Sequence, residues 1–345
     1  MKRKTPHFAP LAAAFAVLAL GFFVFSACRP QIKTQALVPA KAYEASRLRR
    51  IAVLPISGPD GESLTAQVEA LLVGIRVNGQ PYFQVIERNE LERIAAEQKL
   101  SLSGMVDEKS AAAVGSLIGA QGMVWGVTNG GKEEMRHFTE DRTNCAQRDK
   151  DGKCVRWEQK KVSCRERQVS YEFTFKVVEV ETGRIAGSET LSAQASSRWC
   201  EGERGGLETR QALSDKARSQ VLSQFRLMMA PYTVELSIEL LDRDDSKMSG
   251  DVKDRIDEGV KWLKESRPDR AQPLFQAAYA SHKEGYALPY LLGVCAELSG
   301  DLDQAQAYYQ QADSATRRPV AAVNAALSRI RQKISDRAKL SGVAP

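Results

Sequence analysis

The sequence predicts an α/β unit followed by an all-α helical-repeat unit, and three observations carry that fold class. Up to about residue 241, short runs of bulky and β-branched residues alternate with amphipathic segments at helical spacing, as in a mixed sheet with helices packed on it. Beyond it the chain repeats itself with a 34-residue period: Gly259 and Gly293, Ala271 and Ala305, Phe275 and Tyr309, and Ala278 and Ala312 stand one period apart. Between the two patterns, Asp242-Arg243-Asp244-Asp245-Ser246 is too polar to belong to either core and reads as a linker. A chain of 345 residues has room for two such units.

The N-terminus is an address. Lys2-Arg3-Lys4 is a basic lead, Phe8 to Phe25 an apolar run, and Phe25-Ser26-Ala27-Cys28 places small residues before a cysteine. This predicts a signal segment over 1–27 and lipidation of Cys28, hence a membrane-attached protein. Arg29 after the cysteine favours the outer membrane, with the chain facing the periplasm. Residues 28–48, with Pro30 and Pro39 among polar side chains, read as a tether. The formal charge of +6 owes three units to the basic lead, and the remainder is too slight to imply nucleic acid.

The α/β unit is expected over 49–242. Arg50–Pro55 is a compact apolar strand, Gly58-Pro59-Asp60-Gly61 a turn, and Leu64, Val68, Leu71, Leu72 and Ile75 mark a helix. Residues 83–128 organise the rest as strand, helix, polar loop, helix, strand. Asn89 is the expected N-cap of the first helix with Glu92 as its capping-box partner, and Asp107 caps the second. Residues 129–168 break the pattern. They carry both charge signs, Cys145, Cys154 and Cys164, and an Asp151-Gly152 turn signal, and so predict a protruding charged hairpin. Tyr171–Val180 and Arg184–Ala195 form a second hairpin, Leu207–Met229 a helix ended by Pro231, and Val234 to Leu241 the last strand.

Several pieces of this unit resemble the CsgG family of envelope lipoproteins: Ile51-Ala52-Val53-Leu54-Pro55, Val85-Ile86-Glu87-Arg88, Ser103-Gly104-Met105-Val106-Asp107, and Leu117-Ile118-Gly119-Ala120-Gln121 before a hydrophobic strand. The resemblance implies a mixed sheet with packed helices. It leaves function open, because relatives include the curli secretion channel and an outer-membrane activator of peptidoglycan synthases. Residues 249–337 resemble tetratricopeptide (TPR) repeats in Leu292-Gly293, Gly300-Asp301, Ala305, Tyr308-Tyr309 and Ala312, with a degenerate first copy disturbed by Pro268 and Pro273. That resemblance implies a groove for a helix or extended peptide, with Tyr286, Tyr290 and Glu297 as its candidate lining.

Little in the chain points to chemistry. The three histidines, His7, His137 and His282, stand in no metal-ligand spacing, and Asn129-Gly130-Gly131-Lys132 lacks the upstream glycine and hydroxyl of a phosphate loop. The expectation is no enzyme, no metal and no cofactor. Four cysteines, Cys145, Cys154, Cys164 and Cys200, cluster around the insert and allow three disulfide connectivities; spacing favours Cys145 with Cys154 and Cys164 with Cys200. Cys295 stands apart on an apolar helix face. The function expected is a protein-interaction scaffold or regulator of envelope assembly, with other envelope proteins or peptides as partners and a homo-oligomer possible in principle. The alternatives are a subunit of a CsgG-type secretion channel and an activator of a peptidoglycan synthase. A lipid-spanning hairpin needs one apolar face, and the charges of the insert leave no such stripe.

Overall fold

The computed structural model describes residues 30–97 and 108–341; the signal segment, Cys28 and Asp107 lie outside the described residues. The chain opens with β1 (Gln31–Val38) and a short helix α1 (Tyr43–Arg47). Then come β2 (Arg50–Val53), α2 (Gly61–Gly74), a small hairpin of β3 (Arg76–Val77) and β4 (Gln80–Pro81), and β5 (Gln84–Val85). Helices α3 (Arg88–Glu97) and α4 (Glu108–Leu117) lead to β6 (Gly122–Thr128). The α3 turn closes on the Glu87 carbonyl, so Asn89 lies within the first turn rather than capping it; the Glu92 side chain is outside the described set.

Three long strands follow: β7 (Lys132–Arg148), β8 (Cys154–Glu179) and β9 (Arg184–Cys200). Strand β8 organises the sheet. Its Phe173–Glu179 half pairs with β6, the rest of the same edge pairs with β7, and β9 takes the opposite edge from Cys164 onward. The two hairpins expected from the sequence are therefore one continuous ribbon, because β8 runs unbroken for 26 residues. Strands β6 and β7 lie end to end, separated by Gly130 and Gly131 at positive φ. Beside β6, β2 and then β5 continue the sheet in parallel.

Alternation sorts the sheet faces. Ile51, Val53, Val124, Tyr171, Phe173, Phe175 and Val177 face α2 and the 20-residue α5 (Arg210–Met229), where Phe225 meets Phe173 and Phe175 at centroid distances of 5.7 and 4.9 Å. Ala52, Leu54 and Met123 face α3 and α4 on the other side. Thr209 caps α5 by accepting the Ala212 N–H, as its place before the helix requires.

Strand β10 (Tyr232–Glu239) pairs antiparallel with β1 along its whole length. This corrects the tether expected over 28–48. Ile32, Thr34, Ala36 and Val38 alternate with the more exposed Gln31, Lys33, Gln35 and Leu37, and stand in turn opposite Ile238, Leu236, Val234 and Tyr232 of β10. A half-buried strand was thus written into β1, but weakly, because Thr34 and Ala36 are poor markers of an apolar face.

The last five elements are α6 (Gly250–Lys264), α7 (Pro268–Ser281), α8 (Ala287–Leu298), α9 (Leu302–Ser314) and α10 (Ala321–Ser341). Pro268 sits at the first helical position of α7, where its missing N–H costs nothing. The repeat has a steric cause. A Cβ at Gly259 would lie 2.3 Å from the Phe275 ring, and one at Gly293 would lie 2.7 Å from the Tyr309 ring. Each glycine lets an aromatic 16 residues later fill the gap between paired helices. No described helix is long and apolar enough to cross a membrane.

Candidate functional site

Two regions concentrate the polar side chains: the ribbon and the centre of the helical stack. At the foot of the ribbon, Asp60 gathers three elements. Its Oδ2 accepts from the Tyr171 hydroxyl at 2.6 Å and from Arg218 Nη1 at 3.1 Å, and its Oδ1 accepts from the Thr128 hydroxyl at 3.2 Å. Burial, with the hydrogen bond to the Asp60 carboxylate behind it, raises the Tyr171 pKa well above the ordinary phenol value, so this hydroxyl stays a donor. No local spacing announces this cluster, whose members are 68, 111 and 158 residues from Asp60. Gly58, at φ +118°, lets the loop press on the Thr128 carbonyl, where a Cβ would come within 2.1 Å.

Further out, Phe138, Cys164 and Cys200 share one face in direct register, and Val162 joins them in a small core of its own. Two disulfides staple the ribbon: Cys164–Cys200, which ties β8 to β9, and Cys145–Cys154, which closes the turn. Arg198 lies over the Phe138 ring and pairs with Glu140; Arg142 pairs with Glu203. The hydrogen bond from Arg142, then that from the Cys200 N–H, pulls the Glu203 pKa down. Glu140, Cys164 and Cys200 bring ligand-type atoms within 4.8 Å of one another, but the disulfide consumes both sulfurs. Replacing Cys164 and Cys200 together by alanine is expected to cost about 2–4 kcal/mol. Urea unfolding with and without a reductant checks this: the variant should be less stable than wild type by that increment when oxidised, and the gap should close on reduction, which cleaves Cys145–Cys154 in both.

In the helical stack the structure corrects the expected groove. Tyr290 is 1% exposed and Glu297 3%, while Tyr286 precedes α8 and packs against the same core. All of α8 up to Glu297 is buried. The β1–β10 ribbon is what covers it: Ile32, Ile238, Leu240 and Leu241 belong to the core of the stack, and the Tyr290 hydroxyl donates to the Glu239 carbonyl at 2.6 Å. Strand β1 touches α6 and α10 as well. The side on which a foreign peptide was expected is occupied by the chain itself.

Glu297 is a buried ionic centre and not a contact point for a partner. Arg329 donates to both its oxygens at 2.8 and 2.9 Å, Lys333 lies 2.8 Å away, and the Tyr309 hydroxyl donates at 2.6 Å. Burial pushes the Glu297 carboxyl up, but the Arg329 hydrogen bond and charge, with Lys333, outweigh it, and the net shift is downward. Burial alone pushes the Cys295 thiol up to about 12, so it stays a neutral packing group. An apolar cleft of about 410 Å³ lies between Leu37, Tyr82, Pro231 and Leu340; the titratable side chains in its lining are Arg49 and Tyr82.

Comparison with known proteins agrees with the two-part architecture. Residues 53–130 match the family described as curli production assembly/transport component CsgG, and residues 263–330 match the tetratricopeptide repeat family. No curated protein matches the chain. Among solved structures, the chain is similar to the LpoB C-terminal domain from Salmonella enterica, at 12% identity and TM-score 0.28, over 45% of this chain and 96% of that one. It is also similar to the PelC dodecamer from Paraburkholderia phytofirmans, at 17% identity and TM-score 0.23, over 58% and 99%. A lipoprotein from Neisseria meningitidis is similar at 14% identity and TM-score 0.26, over 51% and 97%. Scores this low carry no functional weight. The chain carries a CsgG-family region at residues 53–130 and a tetratricopeptide-repeat region at residues 263–330.

Proposed function

We propose that this protein is a non-catalytic lipoprotein of the cell envelope that binds other envelope proteins, anchored through Cys28 in the outer membrane and facing the periplasm. One observation carries the reading. A disulfide-stapled ribbon projects from a body whose strongly perturbed titratable groups, among the described residues, are buried packing groups such as Cys295 or are tied into structural pairs such as Glu297 with Arg329 and Tyr171 with Asp60. An acid or base at work needs an open cavity and a reachable substrate, and neither of these pairs offers one. The tetratricopeptide match favours protein partners, although the packing of β1 and β10 moves the binding surface away from the α8 face.

A secretion-channel subunit is the weaker reading. A lipid-facing strand keeps every second residue apolar. Beyond Ser163 the ribbon puts Lys160 opposite Arg142 on one face and Lys161 opposite Asp141 on the other, so both faces are charged. Activation of a peptidoglycan synthase is a special case of the binding reading, with the ribbon as the contact.

Lipidation would hold the body close to its membrane, because β1 begins three residues after Cys28 and the Pro30 carbonyl already accepts from the Leu240 N–H. Full-length protein, crosslinked in cells and recovered from detergent-solubilised envelopes, is expected to bring down a defined envelope protein. A Cys28→Ser variant is expected to lose the lipid label and leave the membrane fraction. Recovery of the full chain with no crosslinked partner would overturn the scaffold reading. Truncation at residue 249 is a poor substitute, because it strips cover from Ile32, Ile238 and Leu240.

A further inference from the structure

The charges of the ribbon are sorted along its length. Along β7 as far as Arg142 they neutralise one another: Arg136 with Glu166, Arg167 with Glu133, Arg198 with Glu140, and Arg142 with Glu203. Along β8 outward of Ser163, and at the turn, the cations do not. Lys150, Lys153, Arg156, Lys160 and Lys161 have, among the described residues, no carboxylate within 4.0 Å and no side-chain hydrogen bond. The same stretch leaves Trp157 63% and Val155 58% exposed. Single exposed apolar residues are ordinary. These two stand two positions apart on β8, hence on one face, and Trp157 is directly opposite the stapled Cys145.

We infer that this outer part of the ribbon docks an acidic face of a partner protein, with Trp157 as the apolar anchor, Lys161 on its face, Lys153 at the turn, and Arg156 and Lys160 reaching from the reverse face of the same strand. The inference rests on the scaffold reading above and adds the site and the chemistry of the partner. A tryptophan within reach of cations is the composition of an interface hot spot, and the disulfide removes much of the ordering cost of binding. Unpaired cations lose no internal partner when they meet a carboxylate, and they also speed encounter.

Geometry favours a protein over a membrane. The apex is Asp149–Lys153, where the Asp149 carboxylate accepts the N–H groups of Asp151 and Lys153. Trp157 lies four residues behind Lys153, about 13 Å at the usual strand rise. End-on entry into a bilayer would carry Asp149 and Asp151 in ahead of the tryptophan, whereas a partner lying along the ribbon meets the Val155–Trp157 face directly. The ribbon leaves the body at the N-terminal end of α5, where Arg210 donates to the Gly131 carbonyl. The chain from β1 joins the body at the other end of α5, through Lys41 and Ala42 to the carbonyls of Leu227 and Met228. A 20-residue helix separates the two points by about 30 Å, so the ribbon and the segment that follows β1 meet the body at opposite ends of α5.

The test uses purified full chain and a fluorescein-labelled poly-L-glutamate probe, read by anisotropy at low salt. Vesicles of phosphatidylethanolamine and phosphatidylglycerol serve as the rival target, read by co-sedimentation. Lys160→Glu/Lys161→Glu is expected to weaken the peptide about tenfold or more, and Trp157→Ala about threefold, while Lys261→Glu/Lys264→Glu on α6 stays within about twofold of wild type. Vesicle binding should be the same in wild type and Trp157→Ala. The inference is overturned if wild type does not bind the probe, if the Lys160/Lys161 variant binds as well as wild type, or if Trp157→Ala abolishes vesicle binding. Unfolding midpoints of the variants, all at exposed positions, confirm intact folding. If cellular crosslinking still recovers a partner with the tip variants, the scaffold reading stands and this site falls.

Discussion

Replacing Glu297 by alanine is expected to lower the unfolding free energy by about 3–5 kcal/mol, among the largest effects of any single change in the helical stack. The carboxylate has no exposed side-chain surface, and the two cations that hold it, Arg329 and Lys333, are themselves only 14% and 16% exposed. Removing the acid strands both cations and leaves the Tyr309 hydroxyl without its acceptor. Glu297→Gln should cost less, because it keeps the shape and one acceptor oxygen. The pH dependence has a definite sign. The folded carboxyl titrates below its ordinary value, so its contribution is complete above the unfolded value of about 4.3 and is lost as the pH falls through the folded one. Urea unfolding of wild type and Glu297→Gln, followed by helical circular dichroism at pH 7 and at pH 3, should show a gap that narrows in acid. A loss of under about 1 kcal/mol for Glu297→Ala at pH 7 would mean that the stack tolerates two stranded cations, contrary to the buried-pair account.

Phe275→Ala is expected to cost about 3–5 kcal/mol, by leaving a cavity between α6 and α7 that the helices cannot close. The ring is fully buried, and Gly259 is the wall it leans on. Gly259→Ala should cost about 1–3 kcal/mol from overpacking, partly offset by the better helix propensity of alanine, worth about 1 kcal/mol. The informative variant is the double one. Once the ring is gone, the methyl at 259 projects into empty space, and the double variant should be more stable than the sum of the singles by about 0.5–3 kcal/mol. Additive losses would show that glycine and ring do not form a lock, and the 34-residue period would then need another cause.

The N-terminal strand shows where reading along the chain stops. The alternation of Val234, Leu236, Ile238 and Leu240 is legible because every second residue is large and apolar. The matching alternation in Gln31–Val38 has only Ile32 and Val38 as strong markers, and its partner is about 200 residues away. The same limit explains the groove. Tyr290 and Glu297 have the chemistry of a peptide-binding lining, and only the arrival of β1 and β10 on α6, α8 and α10 turns them into interior residues. The Asp60 cluster was invisible for the same reason.

By itself the sequence determined the order of strands and helices, the charged hairpin, the 34-residue lock of glycine against aromatic, and which cysteines lie near enough in the chain to pair. These follow from periodicity, turn chemistry and sterics, which act over a few residues or one repeat. Only the tertiary structure decided that the two hairpins are one ribbon about β8, that the stack closes on its own N-terminal strand, and which cations are left unpaired. Those outcomes depend on which distant segment arrives first at a given apolar face or carboxylate, and no local pattern encodes that competition.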